Sequence, residues 1–197
     1  MPPLSKFRHL VAYCDASYSQ SRKNDFKATV LVGEKDGTYY VIKAFLEQTT
    51  LNQMLLWFYD IRDMVADKTQ LYYCIECNGF QDPWYKDVFL PGLQKIEATK
   101  GTIPISPDDR NKPDKFSRIE GNLEPLNRRG LLVFNEAEKE NPHMTRLEEQ
   151  FKAIEPALPA HDDGPDATEG AVWVLNIKLR EMAPIKVGQY RRTSKRF

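Results

Sequence analysis

The chain has 197 residues, 41% of them hydrophobic and 11% aromatic, enough apolar material for one sizeable core or at most two small ones. Its 28 basic and 28 acidic side chains cancel, so net charge neither indicates nor excludes a polyanionic partner, and local charge has to decide. Three cysteines, Cys14, Cys74 and Cys77, are an odd count that argues against a disulfide framework. With no apolar run near the roughly 18–20 residues of a membrane span, a soluble cytoplasmic protein is expected.

In chain order, residues 9–14 (HLVAYC) form an apolar, strand-like run that stops on Asp15, and residues 17–25 read as a polar loop. Phe26, Ala28, Val30 and Val32 alternate with other residues up to Gly33, Asp36-Gly37 supplies a turn, and residues 39–46 are again rich in strand formers. A three-stranded antiparallel meander follows. Leu51, Met54, Leu55, Phe58 and Val65 then fall on one face of a helix of about four turns, with Thr49 or Thr50 as its N-cap. The next strand, 71–75, also ends on a carboxylate, Glu76. Asn78-Gly79 opens a loop into the segment 84–96, residues 102–105 make a short strand, and the proline-bounded stretch 106–112 reads as exposed loop. Helices at 115–127 and 144–153 flank a short strand at 131–134. Beyond the polar, proline-containing stretch 156–165, a last helix runs over 166–179. This order predicts a mixed α/β sheet flanked by helices, as one domain over 1–183 with a basic tail, 184–197. If the first and fourth strands are parallel neighbours, Asp15 and Glu76 emerge side by side at their carboxyl ends, the usual place for a site in such sheets.

Carboxylates at the ends of two apolar strands and at the opening of a helix would repel one another and resist desolvation if brought together without a cation. Mg²⁺ prefers carboxylate oxygens and water, and two such ions about 3.5–4 Å apart can clamp the attacking and leaving oxygens of a phosphodiester. Asp15 and Glu76 are therefore candidate catalytic residues and metal ligands. In His161-Asp162-Asp163-Gly164-Pro165-Asp166 the acidic residues Asp162, Asp163 and Asp166 are candidate ligands, with Asp163 and Asp166 also candidate catalytic groups. Asp163 and Asp166 also match the spacing of a helix capping box, so capping and metal binding are both open for them. His161 is placed to orient a ligand or water. Cys74 and Cys77 have a CxxC spacing but no second pair and point to opposite faces of a strand, so a zinc site is not expected.

Lys112, Lys115 and Arg118 are the candidate DNA-binding residues. Lys115 and Arg118 are three apart on one helical face and could hold a phosphate backbone without reading bases. Arg128 and Arg129 close the same helix, where cations are expected on dipole grounds alone.

Taken together, Tyr13-Cys14-Asp15-Ala16-Ser17, Ile75-Glu76-Cys77-Asn78-Gly79, Lys112-Pro113-Asp114-Lys115-Phe116-Ser117-Arg118, Gly130-Leu131-Leu132-Val133-Phe134 and His161-Asp162-Asp163-Gly164-Pro165-Asp166-Ala167 resemble the carboxyl-terminal nuclease domain of phage and prophage terminase large subunits. The resemblance spans roughly residues 8–180. It implies a ribonuclease H-like fold and an Mg²⁺- or Mn²⁺-dependent endonuclease that cuts concatemeric viral double-stranded DNA. It also implies an ATPase motor domain normally preceding this one, a portal and a small terminase subunit as partners, and host cytoplasm and the prohead as the place of action. Asp15 would take the first-strand aspartate position, Glu76 the acidic position after the fourth strand, and the 162/163/166 cluster the third. The chain lacks a G-x-x-x-x-G-K-[ST] phosphate loop, so it is expected to be a domain separated from its motor. A junction resolvase or transposase of the same fold and a catalytically silent interaction module are the competing readings.

Overall fold

The structure, a computed structural model, describes residues 1–16, 26–77, 82–112, 114–154 and 161–181. The expected loops at 17–25 and Asn78-Gly79, residues 156–160 and the basic tail lie outside these.

Six strands form one sheet in the order β5-β4-β1-β2-β3-β6. The meander is β1 (His9–Asp15), β2 (Phe26–Lys35) and β3 (Thr38–Gln48), paired antiparallel. Its β2–β3 turn places Asp36 at φ 53° and Gly37 at φ 82°, the left-handed pair whose twist suits a tight hairpin. After the helix α1 (Leu51–Val65), β4 (Gln70–Glu76) pairs parallel with β1, bringing Tyr13 beside Cys74 and Cys14 beside Ile75. The two strands that end on carboxylates are therefore neighbours, as the site requires. Thr50 caps α1 by accepting from the amide of Gln53 at 3.2 Å.

A short helix α2 (Asp82–Trp84), a wide π-type turn (Tyr85–Phe89) and α3 (Leu90–Lys100) lead to β5 (Ile105–Asp108). This strand corrects the expected one at 102–105, because parallel pairing with β4 runs from Tyr73 beside Ile105 to Glu76 beside Asp108. Pro107 marks the stretch as loop in a sequence pattern, yet an edge strand tolerates a proline whose missing N–H would face away from the sheet. Next come α4 (Lys115–Arg128), β6 (Leu132–Phe134) parallel to β3, α5 (Pro142–Ala153) and α6 (Asp163–Glu181).

Two apolar layers cover the sheet. Leu10, Ala12, Cys14 and Ile75 pack on α1 and α3 through Phe58, Trp57 and Leu93. Val11, Tyr13, Val30 and Cys74 face α4, α5 and α6 through Ile119, Leu147, Ala167 and Ala171. The two-residue strand period carries the second face forward to Asp15 and Glu76, so both carboxylates are directed toward α6. Gly170 allows that helix to lie close, since a Cβ there would overlap the Tyr13 ring.

Candidate metal centre

Asp15, Glu76 and Asp166 each offer an oxygen, and these atoms lie within 4.8 Å of one another, all on buried residues. Each position has a local cause. Asp15 and Glu76 are the last residues of parallel neighbours β1 and β4. Asp166 stands in the first turn of α6, where its amide bonds the carbonyl of Asp162 at 2.9 Å and the helix dipole favours a negative charge. The helix start is fixed from outside by Gln150 of α5, whose Oε1 accepts from the Gly164 amide at 2.8 Å.

Cations fill the space around the three carboxylates. Lys112 Nζ lies 2.7 Å from Glu76 and 3.9 Å from Asp166, and donates to the Tyr13 hydroxyl at 3.2 Å. Lys115 Nζ lies 2.7 Å from Asp162, 3.2 Å from Asp166 and 3.8 Å from Asp15. Arg118 donates to Asp166 at 2.6 Å and also to Glu169. Glu169 is fully buried and further held by Arg110 at 2.9 Å and Asn122 at 2.8 Å. Arg110 in turn pairs with Asp108 at 3.0 Å, which accepts from the Tyr13 hydroxyl.

Among the described residues, these contacts join six carboxylates, Asp15, Glu76, Asp108, Asp162, Asp166 and Glu169, to only four cations, Arg110, Lys112, Lys115 and Arg118. Asp15 responds to this excess by holding its proton. Burial pushes its carboxyl up to about 8, and Glu76, Asp166 and Asp163 add to the rise against the opposing charge of Lys115. Asp166 behaves oppositely: burial acts to raise it, but the Arg118 hydrogen bond and the charges of Lys115 and Lys112 outweigh burial and hold it below the usual carboxylate range. Burial lowers Lys115, yet the surrounding Asp15 and Asp166 leave it raised overall. One carboxylate of the set thus resists ionisation while its neighbour is held ionised, an arrangement that a divalent cation relieves.

Of the predicted ligands, the structure gathers Asp15, Glu76 and Asp166. Asp163 is buried at the start of α6 but outside that group, and Asp162, more than a third exposed, reaches it through Lys115. His161 is exposed, with its ring 4.8 Å from that of Phe26. The basic trio expected on a DNA-facing surface is turned inward to different degrees: Arg118 and the Lys112 side chain are buried in ion pairs, while Lys115 is 35% exposed. Glu169, Asp108, Arg110 and the Tyr13 hydroxyl were not anticipated as a network. The available signal was Glu169 itself, a charged residue one turn after Asp166 among Ala167, Gly170 and Ala171, where small residues mark a buried helix face.

A mixed sheet with its central antiparallel meander, parallel flanking strands and helices on both faces is the ribonuclease H-like fold. Among solved structures, the chain is similar to the human cytomegalovirus terminase nuclease domain, with TM-score 0.60 at 15% identity over 85% of this chain and 83% of that one. It is also similar to the nuclease domain of the P22 large terminase, with TM-score 0.59 at 13% identity over 90% and 84% of the two chains. The g2p (large terminase) nuclease domain of bacteriophage SPP1, with bound Mn, gives 0.57 at 14% identity over 87% and 89%. Against the large terminase of a thermophilic bacteriophage the TM-score is 0.54 at 15% identity, and the match takes up 41% of that longer chain. At such identities the likeness establishes the fold. No protein-family model matches the chain, and no curated protein does.

Proposed function

We propose that the chain is the metal-dependent endonuclease domain of a phage DNA-packaging terminase large subunit, hydrolysing phosphodiester bonds of concatemeric viral double-stranded DNA with two Mg²⁺ or Mn²⁺ ions. The observation that carries this reading is the convergence of Asp15, Glu76 and Asp166 from three elements into one buried cluster. The all-oxygen donor set suits hard divalent ions, and the similar SPP1 domain is described with bound Mn. Such ions supply charge that activates water and stabilises the departing oxygen.

The chain's own residues have separable tasks. Asp15, Glu76 and Asp166 hold the ions, with Asp166 as the third ligand and Asp162 and Asp163 beside it. Arg118 fixes the Asp166 carboxylate, and Glu169 fixes Arg118. Lys115, partly exposed, offers positive charge to the phosphate backbone at the rim, and Lys112, buried against Glu76, offsets the charge of the cluster from within. The motor domain is proposed to lie in the remaining length of a protein like the thermophilic-phage large terminase, of which this chain spans 41%. Portal and small terminase subunit are proposed as its partners, acting in the host cytoplasm.

The test is cleavage of supercoiled plasmid by the purified chain with Mn²⁺, Mg²⁺ or chelator. Nicking and linearisation that need the metal are expected, with Asp15→Asn and Glu76→Gln each lowering the rate by roughly 10²–10³-fold. A folded protein that leaves plasmid intact under both metals would refute the nuclease reading, and a preference for four-way junctions over linear duplex would redirect it to a resolvase.

A further inference from the structure

Lys115 stands where a cation bound to the acidic cluster would stand. It is the first residue of α4, and its ammonium approaches Asp166 at 3.2 Å and Asp15 at 3.8 Å, two of the three carboxylates that converge. A monovalent charge so placed competes with a divalent ion for the same oxygens. Its backbone is firmly held: Asp114 caps the helix through the Ser117 amide at 3.0 Å, Arg118 is locked to Asp166 and Glu169, and Ile119 and Leu123 are buried. The side chain is less constrained, with 35% exposure against 7% for Lys112, whose ammonium is tied to Glu76 and Tyr13. A flexible four-carbon stem on a fixed helix start can move its charge without moving the helix. Asp162, partly exposed, outside the converging group and 2.7 Å from Lys115, offers the ammonium a second resting place toward solvent.

We propose that Lys115 is an internal counter-cation that occupies the Asp15–Asp166 side of the cluster until a divalent ion displaces it. The affinity for metal is then set by the competition between the two. This rests on the metal site of the preceding section and deepens it. Once displaced, the ammonium is available to a phosphodiester group. Because coupling between binding events is reciprocal, DNA that engages Lys115 raises the affinity for metal, and metal that releases Lys115 raises the affinity for DNA.

The experiment is calorimetric titration of the full chain with Mn²⁺, without DNA, for wild type, Lys115→Gln and Lys115→Met. Both variants are expected to bind Mn²⁺ more tightly by roughly 5–150-fold. Removing a charge that merely repels the ion from a distance would also help binding, so a second measurement follows the side chain itself. In wild-type protein with isotopically labelled lysine, the Lys115 ammonium is protected from exchange by its ion pairs, and saturating Mg²⁺ is expected to make it exchange rapidly with water by nuclear magnetic resonance. This arm needs no variant and stands if a substitution prevents folding. Variants that bind Mn²⁺ no more tightly than wild type, or a Lys115 signal unchanged at saturating Mg²⁺, overturn the counter-cation role and leave the metal site intact. Absence of Mn²⁺ binding in wild type and variants alike overturns the metal site and this inference together.

Discussion

On the face of the sheet covered by α1 and α3, Leu10, Ala12, Cys14 and Ile75 meet Trp57, Phe58 and Leu93 in a layer of apolar and aromatic groups. On the face covered by α4, α5 and α6, the same strands contribute Val11, Tyr13 and Cys74 to an apolar layer that gives way, at the carboxyl ends, to Asp15, Glu76, Asp166, Glu169 and Arg118, all buried. The first face is held by area removed from water, which is non-directional and tolerates replacement by side chains of similar volume. The second is held by paired charges, where removing one partner leaves another charge buried and unsatisfied. The difference teaches where stability and chemistry separate in this fold: one layer supports the sheet, and the other positions carboxylates at some cost to the stability of the metal-free chain.

The sharpest way to break this comparison is to damage each face equally and read metal binding. Glu169→Ala leaves Arg110 only Asp108 and Arg118 only Asp166 as a carboxylate partner, and is expected to cost about 3–5 kcal/mol in urea denaturation. It should also weaken Mn²⁺ binding, because Arg118 loses the Glu169 anchor that sets its position against Asp166. Phe58→Ala on the other face is expected to cost a similar amount, about 3–5 kcal/mol, while the folded fraction binds Mn²⁺ as wild type does. Equal loss of metal binding in both variants would show that the faces are not separable.

A smaller effect tests how closely the charged layer must approach the sheet. Gly170→Ala adds a Cβ where the Tyr13 ring already lies, and overpacking of this kind costs about 1–3 kcal/mol. Since α6 carries Asp166 and β1 carries Asp15, the displacement should lower Mn²⁺ affinity as well as melting temperature. A variant with wild-type values of both would mean that the close approach is incidental.

The two ends of β1 differ in the sign of their pH dependence, measured as unfolding free energy in chelator. His9, at the start of the strand, is held below its ordinary 6.5 by burial and then by the charges of Arg8 and Lys178. The folded chain therefore binds its proton less readily than the unfolded one, so its stabilising contribution is present above about pH 6.5 and lost as pH falls. Asp15, at the other end, is raised from 3.8 to about 8. The folded chain binds its proton more readily, so its stabilising contribution is fully present below 3.8, declines as pH rises, and is lost above about 8. His9→Gln should remove a rise of stability with pH below about 6.5, and Asp15→Asn a fall of stability with pH between about 3.8 and 8. Interchanged effects would reverse the electrostatic assignment.

The sequence by itself determined the elements whose signals are local. Strand runs that stop on Asp15 and Glu76, the Asp36-Gly37 turn and the helical face of α1 are set by alternation, turn chemistry and capping within a few residues. It also bounded the third candidate ligand to Asp162, Asp163 or Asp166, and no further, since all three sit within about one helical turn of one another. Only the tertiary structure decided the rest. Parallel pairing between β4 and β5 made a strand of Ile105–Asp108, which the sequence presents as a proline-containing loop. Close packing of α6 against β1, at Gly170 and Tyr13, brought Asp166 rather than its neighbours to Asp15 and Glu76. Lys112, Lys115 and Arg118, read along the chain as one basic surface, were divided by the same packing into two buried pairs and one partly exposed lysine. The reason is one of range: propensity and periodicity act over a few residues, whereas which charge meets which is settled between elements far apart in the chain, as the sequence separations of 48 for Arg118–Asp166 and 95 for Tyr13–Asp108 show.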